Sequence, residues 1–113
     1  MTRLNPGDIV LVKFPFTDLS SQKRRPSVVI SSTEYSSRQG DVVILALTSQ
    51  RQESDFFLES WRKSGLLKET WIKPIIGTIS VSLIDQKLGV LQSGDAAKVK
   101  NAIHTILDSS LSR

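Results

Sequence analysis

The chain has no cysteine and a single histidine, His104. Without thiols it forms neither disulfides nor thiolate metal sites, as expected of a protein kept in a reducing compartment. With one imidazole it cannot assemble a two-histidine acid–base pair within one chain. Proton transfer would then fall to carboxylates, hydroxyls, amines or backbone groups. Apolar runs stop after a few residues, too short to span a bilayer. Residues 1–6 hold no apolar stretch of the kind that marks a secretory signal. The expectation is a cytoplasmic protein with no membrane segment.

What the chain does carry is positive charge. Lys and Arg number 15 against 11 Asp and Glu, giving a net charge of +4 and a pI near 9.7. That balance favours a polyanion or an acidic partner. A length of 113 residues supplies one hydrophobic core and not two, so the reading is one domain over 1–113.

The organising stretch is Lys23-Arg24-Arg25-Pro26-Ser27-Val28-Val29-Ile30-Ser31. It passes from a basic loop to a β-branched run within two residues. Pro26 fixes its own φ and turns Arg25 toward extended geometry. Residues 27–32 then read as a buried strand. A guanidinium at the mouth of such a strand is held by a scaffold, which suits a cation that binds phosphate.

Around that stretch, Asn5-Pro6-Gly7-Asp8 is a turn signal, and residues 9–14 alternate as a strand. Residues 15–25 read as a loop and residues 33–40 as a polar segment. Residues 41–48 form a third strand, apolar almost throughout and hence interior. Farther on, 56–58, 71–73 and 75–80 read as short strands, the last two separated by Pro74. Residues 59–67 read as a helical turn ended by Gly65, and 82–87 as another. Val90-Leu91 is a last short strand. Ser93 or Asp95 caps the one long helix, whose apolar stripe is Ala96, Val99, Ile103, Ile106, Leu107 and Leu111. The expected class is mainly β with α+β character: five to seven short antiparallel strands closed by a C-terminal helix.

Three segments in order carry a family resemblance: Gly7-Asp8-Ile9-Val10, the basic Lys23-Arg24 leading into Arg25-Pro26-x-Val28-Val29-Ile30-Ser31, and the strand ending Leu47-Thr48. Gly65-Leu66-Leu67-Lys68, Ile72-Lys73-Pro74 and Gly77-Thr78-Ile79-x-x-Ser82-Leu83-Ile84 continue it. In this order and spacing the chain resembles the MazF/PemK toxins from Gly7 to the final helix. The resemblance implies a small SH3-like antiparallel barrel with a C-terminal helix, usually a homodimer. It also implies a sequence-specific, metal-independent endoribonuclease acting on single-stranded mRNA and neutralised by a cognate antitoxin, with no cofactor. The family's usual catalytic arginine and threonine map onto Arg25 and Thr48. Some relatives place a glutamate in the loop where Ser20 and Ser21 stand here. Others follow a basic residue with an aspartate near Ile72-Lys73-Pro74. Lys73 keeps the cation, the aspartate has no counterpart, and Gly77 stands where an arginine is common.

Metal-free RNA cleavage asks for such groups on chemical grounds. The substrate's own 2′-OH attacks, so the protein must stabilise the charge that accumulates on phosphorus. Arg25 donates paired hydrogen bonds to phosphate oxygens and stays charged at any working pH. Thr48 adds one more donor. Lys23 and Arg24 would contact RNA phosphates or an acidic antitoxin segment, with Gln50, Arg51 and Lys73 as further substrate contacts. Against these stand plainer readings: a solvated charge run at 23–25, an ordinary strand end at Thr48, and exposed loop side chains at Gln50 and Arg51. Trp61 and Trp71 could stack bases, but packing or a dimer contact is the reading preferred. His104, spaced with Lys100 and Asp108 along a helix, reads as exposed. The competing functions are a gyrase poison and a non-catalytic RNA- or protein-binding module on the same barrel. A chain ending Ser109-Ser110-Leu111-Ser112-Arg113 lacks the terminal aromatic with which gyrase-poisoning relatives often grip.

Overall fold

A computed structural model describes residues 3–13 and 24–107. The elements in order are strand β1 (Asp8–Lys13), strand β2 (Arg24–Val29), helix α1 (Thr33–Gln39), strand β3 (Asp41–Thr48), a 3-10 turn (Ser54–Phe56), strand β4 (Trp71–Ser80), a second 3-10 turn (Val81–Leu83), strand β5 (Ile84–Val90) and helix α2 (Ser93–Ile106). The five strands form one antiparallel sheet in the order β4-β3-β2-β1-β5. The class is the expected mainly-β, α+β arrangement. Its sheet is open, since β4 and β5 lie at opposite edges and share no ladder among the described residues.

Both faces of the sheet are buried, which explains the near-continuous apolar run of β3. On one face Val10, Val12, Val29, Val42, Ile44, Ala46 and Ile79 form a core with Leu4. On the other, Ile9, Val28, Leu45, Leu47 and Ile72 pack with Leu58, Leu66 and the α2 residues Val99 and Ala102. The strand period of two sorts the residues between these cores: neighbours such as Ile9 and Val10, or Val28 and Val29, go to opposite sides.

Several boundaries differ from the sequence reading, each for a physical reason. Arg24 and Arg25 belong to β2 and not to the preceding loop, because β1 pairs them through Lys13–Arg24 and Val12–Arg25. Residues 33–39 form a helix without an apolar stripe. Ser32 Oγ caps it by accepting the Tyr35 N–H at 3.1 Å, and Gly40 ends it in the left-handed region at φ 69°. Pro74 does not split β4: the strand is an edge, and the register slips between Leu45–Ile76 and Leu47–Ile72, where a missing N–H does no harm. The expected strand at 56–58 is a 3-10 turn plus a single Phe57–Trp71 bridge.

The expected helical turn at 82–87 is mostly β5, which pairs with β1 through two register shifts. The cap of α2 is Gln92, with no side-chain bond. Asp95 instead turns away to accept the Glu59 and Ser60 N–H groups at 3.1 and 2.9 Å. The apolar stripe holds through Val99, Ile103 and Ile106. Leu107, by contrast, is 55% exposed at the helix end, and Leu111 lies outside the described residues. Among the described residues no helix is long and apolar enough to cross a membrane.

Candidate functional site

The β2–β3 ladder is short. It pairs Val29–Ile44, Val28–Leu45 and Ser27–Ala46 and goes no farther. The next residue of β2 is Pro26, which has no N–H to donate. The two strands therefore part just where β2 carries Arg25 and β3 carries Thr48. A cleft of about 390 Å³ lies at this opening, and Arg25 and Thr48 both line it. Its floor is apolar, with Leu11, Pro26, Leu47, Leu66 and Leu88. Its polar lining among the described residues is Arg24, Arg25, Thr48, Ser49, Lys68, Thr70 and Gln86, with no carboxylate among them.

Each polar side chain is held differently. Thr48 is buried at 6% exposure, and its Oγ1 accepts the Gln50 N–H at 3.1 Å. With that lone pair taken, the hydroxyl keeps its proton for a second partner. Arg25 is half-buried, and its Nε is shielded from solvent with no acceptor among the described residues. Arg24 reaches across β1 to β5, where its Nε lies 3.3 Å from Asp85 Oδ2. That pair is partly exposed and sets the side chain's direction more than it adds stability. Lys68 is exposed at the rim, and Thr70 Oγ1 donates to the Lys68 carbonyl at 2.8 Å, fixing the turn that brings the lysine there.

The remaining candidates divide. Lys23, with Ser20 and Ser21, lies outside the described residues. Gln50 touches the site through its backbone N–H. Arg51 lines a separate shallow cavity of about 530 Å³ with Phe57, Glu59, Glu69 and Trp71, where two carboxylates offset its charge. Lys73 is half-buried on β4 and lines neither cavity. Trp71 is 8% exposed and leans on Phe57 at 5.1 Å and 47°, a packing role, while Trp61 carries the Arg62 guanidinium 4.9 Å over its ring. His104 is exposed on α2. Among the described residues no three His, Cys, Asp or Glu side chains gather as metal ligands.

Ser49, Lys68, Thr70 and Gln86 are the polar lining residues that the sequence did not single out. Lys68 does lie within the Gly65-Leu66-Leu67-Lys68 segment of the resemblance, which was the available signal. Gln86 carried none, because it reads as part of a polar turn until β5 is paired with Leu11 of β1.

One family model and a set of solved structures match the chain. The model of the PemK-like, MazF-like toxins of type II toxin–antitoxin systems matches residues 5–107. A search of curated protein sequences finds no match. Among solved structures, an endoribonuclease from a mycobacterial species, in complex with its cognate antitoxin, superimposes with a TM-score of 0.73 at 16% identity, covering 94% of each chain. A MazF from Deinococcus radiodurans superimposes with a TM-score of 0.76 at 17% identity, covering 94% of this chain and 97% of the other. Another endoribonuclease from a mycobacterial species gives 0.72 at 19% identity, covering 94% and 92%. At such identities the superpositions establish the shared fold, while the match over residues 5–107 establishes the family. The chain belongs to the PemK-like, MazF-like toxins of type II toxin–antitoxin systems.

Proposed function

We propose that this toxin is a sequence-specific, metal-independent endoribonuclease that cleaves single-stranded mRNA and is neutralised by a cognate antitoxin. The observation that carries the reading is the placement of Arg25 and Thr48 on one cleft, where the β2–β3 ladder ends. Arg24, Arg25 and Lys68 give its polar lining a net positive charge. Cations and hydroxyls are a donor set for phosphate oxygens, whereas a divalent cation asks for carboxylates.

In the reaction the substrate 2′-oxygen forms a bond to phosphorus and the bond from phosphorus to the 5′-oxygen breaks. A proton leaves the 2′-OH and one is delivered to the 5′-oxygen. The products are a 2′,3′-cyclic phosphate and a 5′-hydroxyl. Arg25 stabilises the charge that builds on the non-bridging oxygens, and Thr48 donates the hydroxyl proton that Gln50 leaves free. Among the described residues no side chain lining the cleft is a carboxylate or an imidazole, and none of them is assigned the transfer of the 2′-OH proton.

The same positive cleft suits an acidic antitoxin segment, which would compete with RNA for it. Homodimerisation and a cytoplasmic location accompany this reading, as does contact of RNA phosphates with Lys23, Arg24 and Arg51. The test is incubation of antitoxin-free protein with a long single-stranded RNA in EDTA. Fragments ending in 2′,3′-cyclic phosphate support the reading. The rival reading is an RNA-binding module without catalysis; RNA that is bound but stays intact would select it.

A further inference from the structure

Two polar atoms of β2 are shielded from solvent with no partner among the described residues, Arg25 Nε and Ser27 Oγ. They sit two residues apart on one strand, so both side chains leave the same face, with Cα atoms separated by roughly 6.6 Å. Ser27 is fully buried, and its neighbours in register are Val10 on β1 and Ala46 on β3. Neither offers a side-chain polar atom, and both belong to the apolar core of that face. A hydroxyl among such neighbours has its complement along its own strand. Nε–H is a donor in want of an acceptor, and a serine oxygen both accepts and donates.

Buried polar groups in folded proteins nearly always find a partner, often an ordered water. One water that accepts from Nε and donates to Oγ would satisfy both atoms. There is also a reason for such an anchor at this point. Ser27–Ala46 is the last pair of the β2–β3 ladder, so Arg25 stands beyond the region where β3 restrains its strand. A long side chain there has several rotamers unless something fixes its stem.

We infer that Ser27 is a positioning residue for Arg25, holding its Nε through one buried water and so fixing the stem of the side chain where the β2–β3 ladder ends. The inference rests on the proposed role of Arg25 in binding the scissile phosphate. The contact itself is independent of activity and is tested separately.

The contact is read by NMR as the solvent exchange of the Arg25 Nε–H, assigned by its disappearance in Arg25→Lys. Slow exchange in the wild type, made at least tenfold faster by Ser27→Ala with no fall in Tm, is the expected result. Ser27→Cys keeps the side-chain volume but bonds weakly, so it should accelerate exchange as well; it decides the matter should the alanine variant fold poorly. Fast exchange already in the wild type, or equal rates in wild type and variants, overturns the inference. If the wild type cuts RNA, Ser27→Ala should lower kcat about tenfold while KM stays within twofold; an unchanged kcat overturns the positioning role. A wild type that cuts no RNA counts against the nuclease reading, and the exchange rates still decide the contact.

Discussion

Gly65 and Gly89 meet back to back. A Cβ on Gly65 would overlap the Leu88 carbonyl oxygen, and one on Gly89 would overlap the Ser64 carbonyl oxygen. The turn at 59–65 thus lies directly on the backbone of β5. It carries Leu66, Leu67 and Lys68 to the wall of the cleft, with Leu67 left 93% exposed.

That contact predicts a stability loss with a functional echo. Gly89→Ala should cost about 1–3 kcal/mol through overpacking against backbone that cannot yield. Gly65→Ala should cost more, because φ at Gly65 is 91° and an alanine there is strained as well. Urea denaturation checks the order; an alanine at either position that leaves the midpoint unmoved would contradict the close approach.

Asp95 holds the other end of that turn. It is 2% exposed and accepts both the Glu59 and Ser60 N–H groups, 36 and 35 residues away in sequence. Hydrogen bonds to a charged group contribute about 1.5–3 kcal/mol. Asp95→Ala should therefore lower stability by about that much and loosen the wall bearing Lys68. Asp95→Asn should recover only part, since its amide nitrogen would face a second N–H. Thermal unfolding of the two variants reads the difference.

Thr48 separates a catalytic hydroxyl from a structural one. Thr48→Ser keeps the acceptor for the Gln50 N–H and the proton for phosphate, so its kcat should stay within a few-fold of wild type. Thr48→Val removes both and should lower kcat by roughly 10²–10³, the range for losing one preorganised donor. Equal rates for valine and serine would remove Thr48 from the reaction.

Arg24 is expected to act through charge alone. Its pair with Asp85 is about half exposed, so Arg24→Ala should move stability by less than about 1 kcal/mol. RNA affinity should fall, and the slope of log K against log salt should become shallower by about 0.7, one phosphate contact on a single strand. An unaltered salt slope would mean that Arg24 serves only its bond to Asp85.

The legible parts of the fold were those where hydrophobic pattern and packing agree. β3 reads as an interior strand from residues 42–47 because both of its faces are covered. Two of the stretches misread were polar. Helix α1 buries only Ser36, whose Oγ lies 3.0 Å from Ser31 Oγ, so caps at Ser32 and Gly40 shape it, not an apolar stripe. Most of β5 shows partly or fully exposed residues and becomes a strand only by pairing with β1. The site divides in the same way. Arg25 and Thr48 stand at strand ends visible in the sequence. Lys68 and Gln86 reach the cleft through a turn and an edge strand whose positions depend on long-range contacts such as Gly65 against Gly89. Arg51 and Lys73, adjacent in sequence to the right strands, are directed elsewhere by the turn after Thr48 and the register slip near Pro74.

The central claim is that Arg25 stabilises the charge on a cleaved phosphodiester. Its most direct test compares cleavage of one single-stranded RNA, in EDTA, by the wild type and by Arg25→Ala at matched folded concentration. The account predicts cutting by the wild type and a rate lower by at least roughly 10² in the variant, the loss expected for a principal charge-stabilising donor. Equal cutting by both proteins would contradict it.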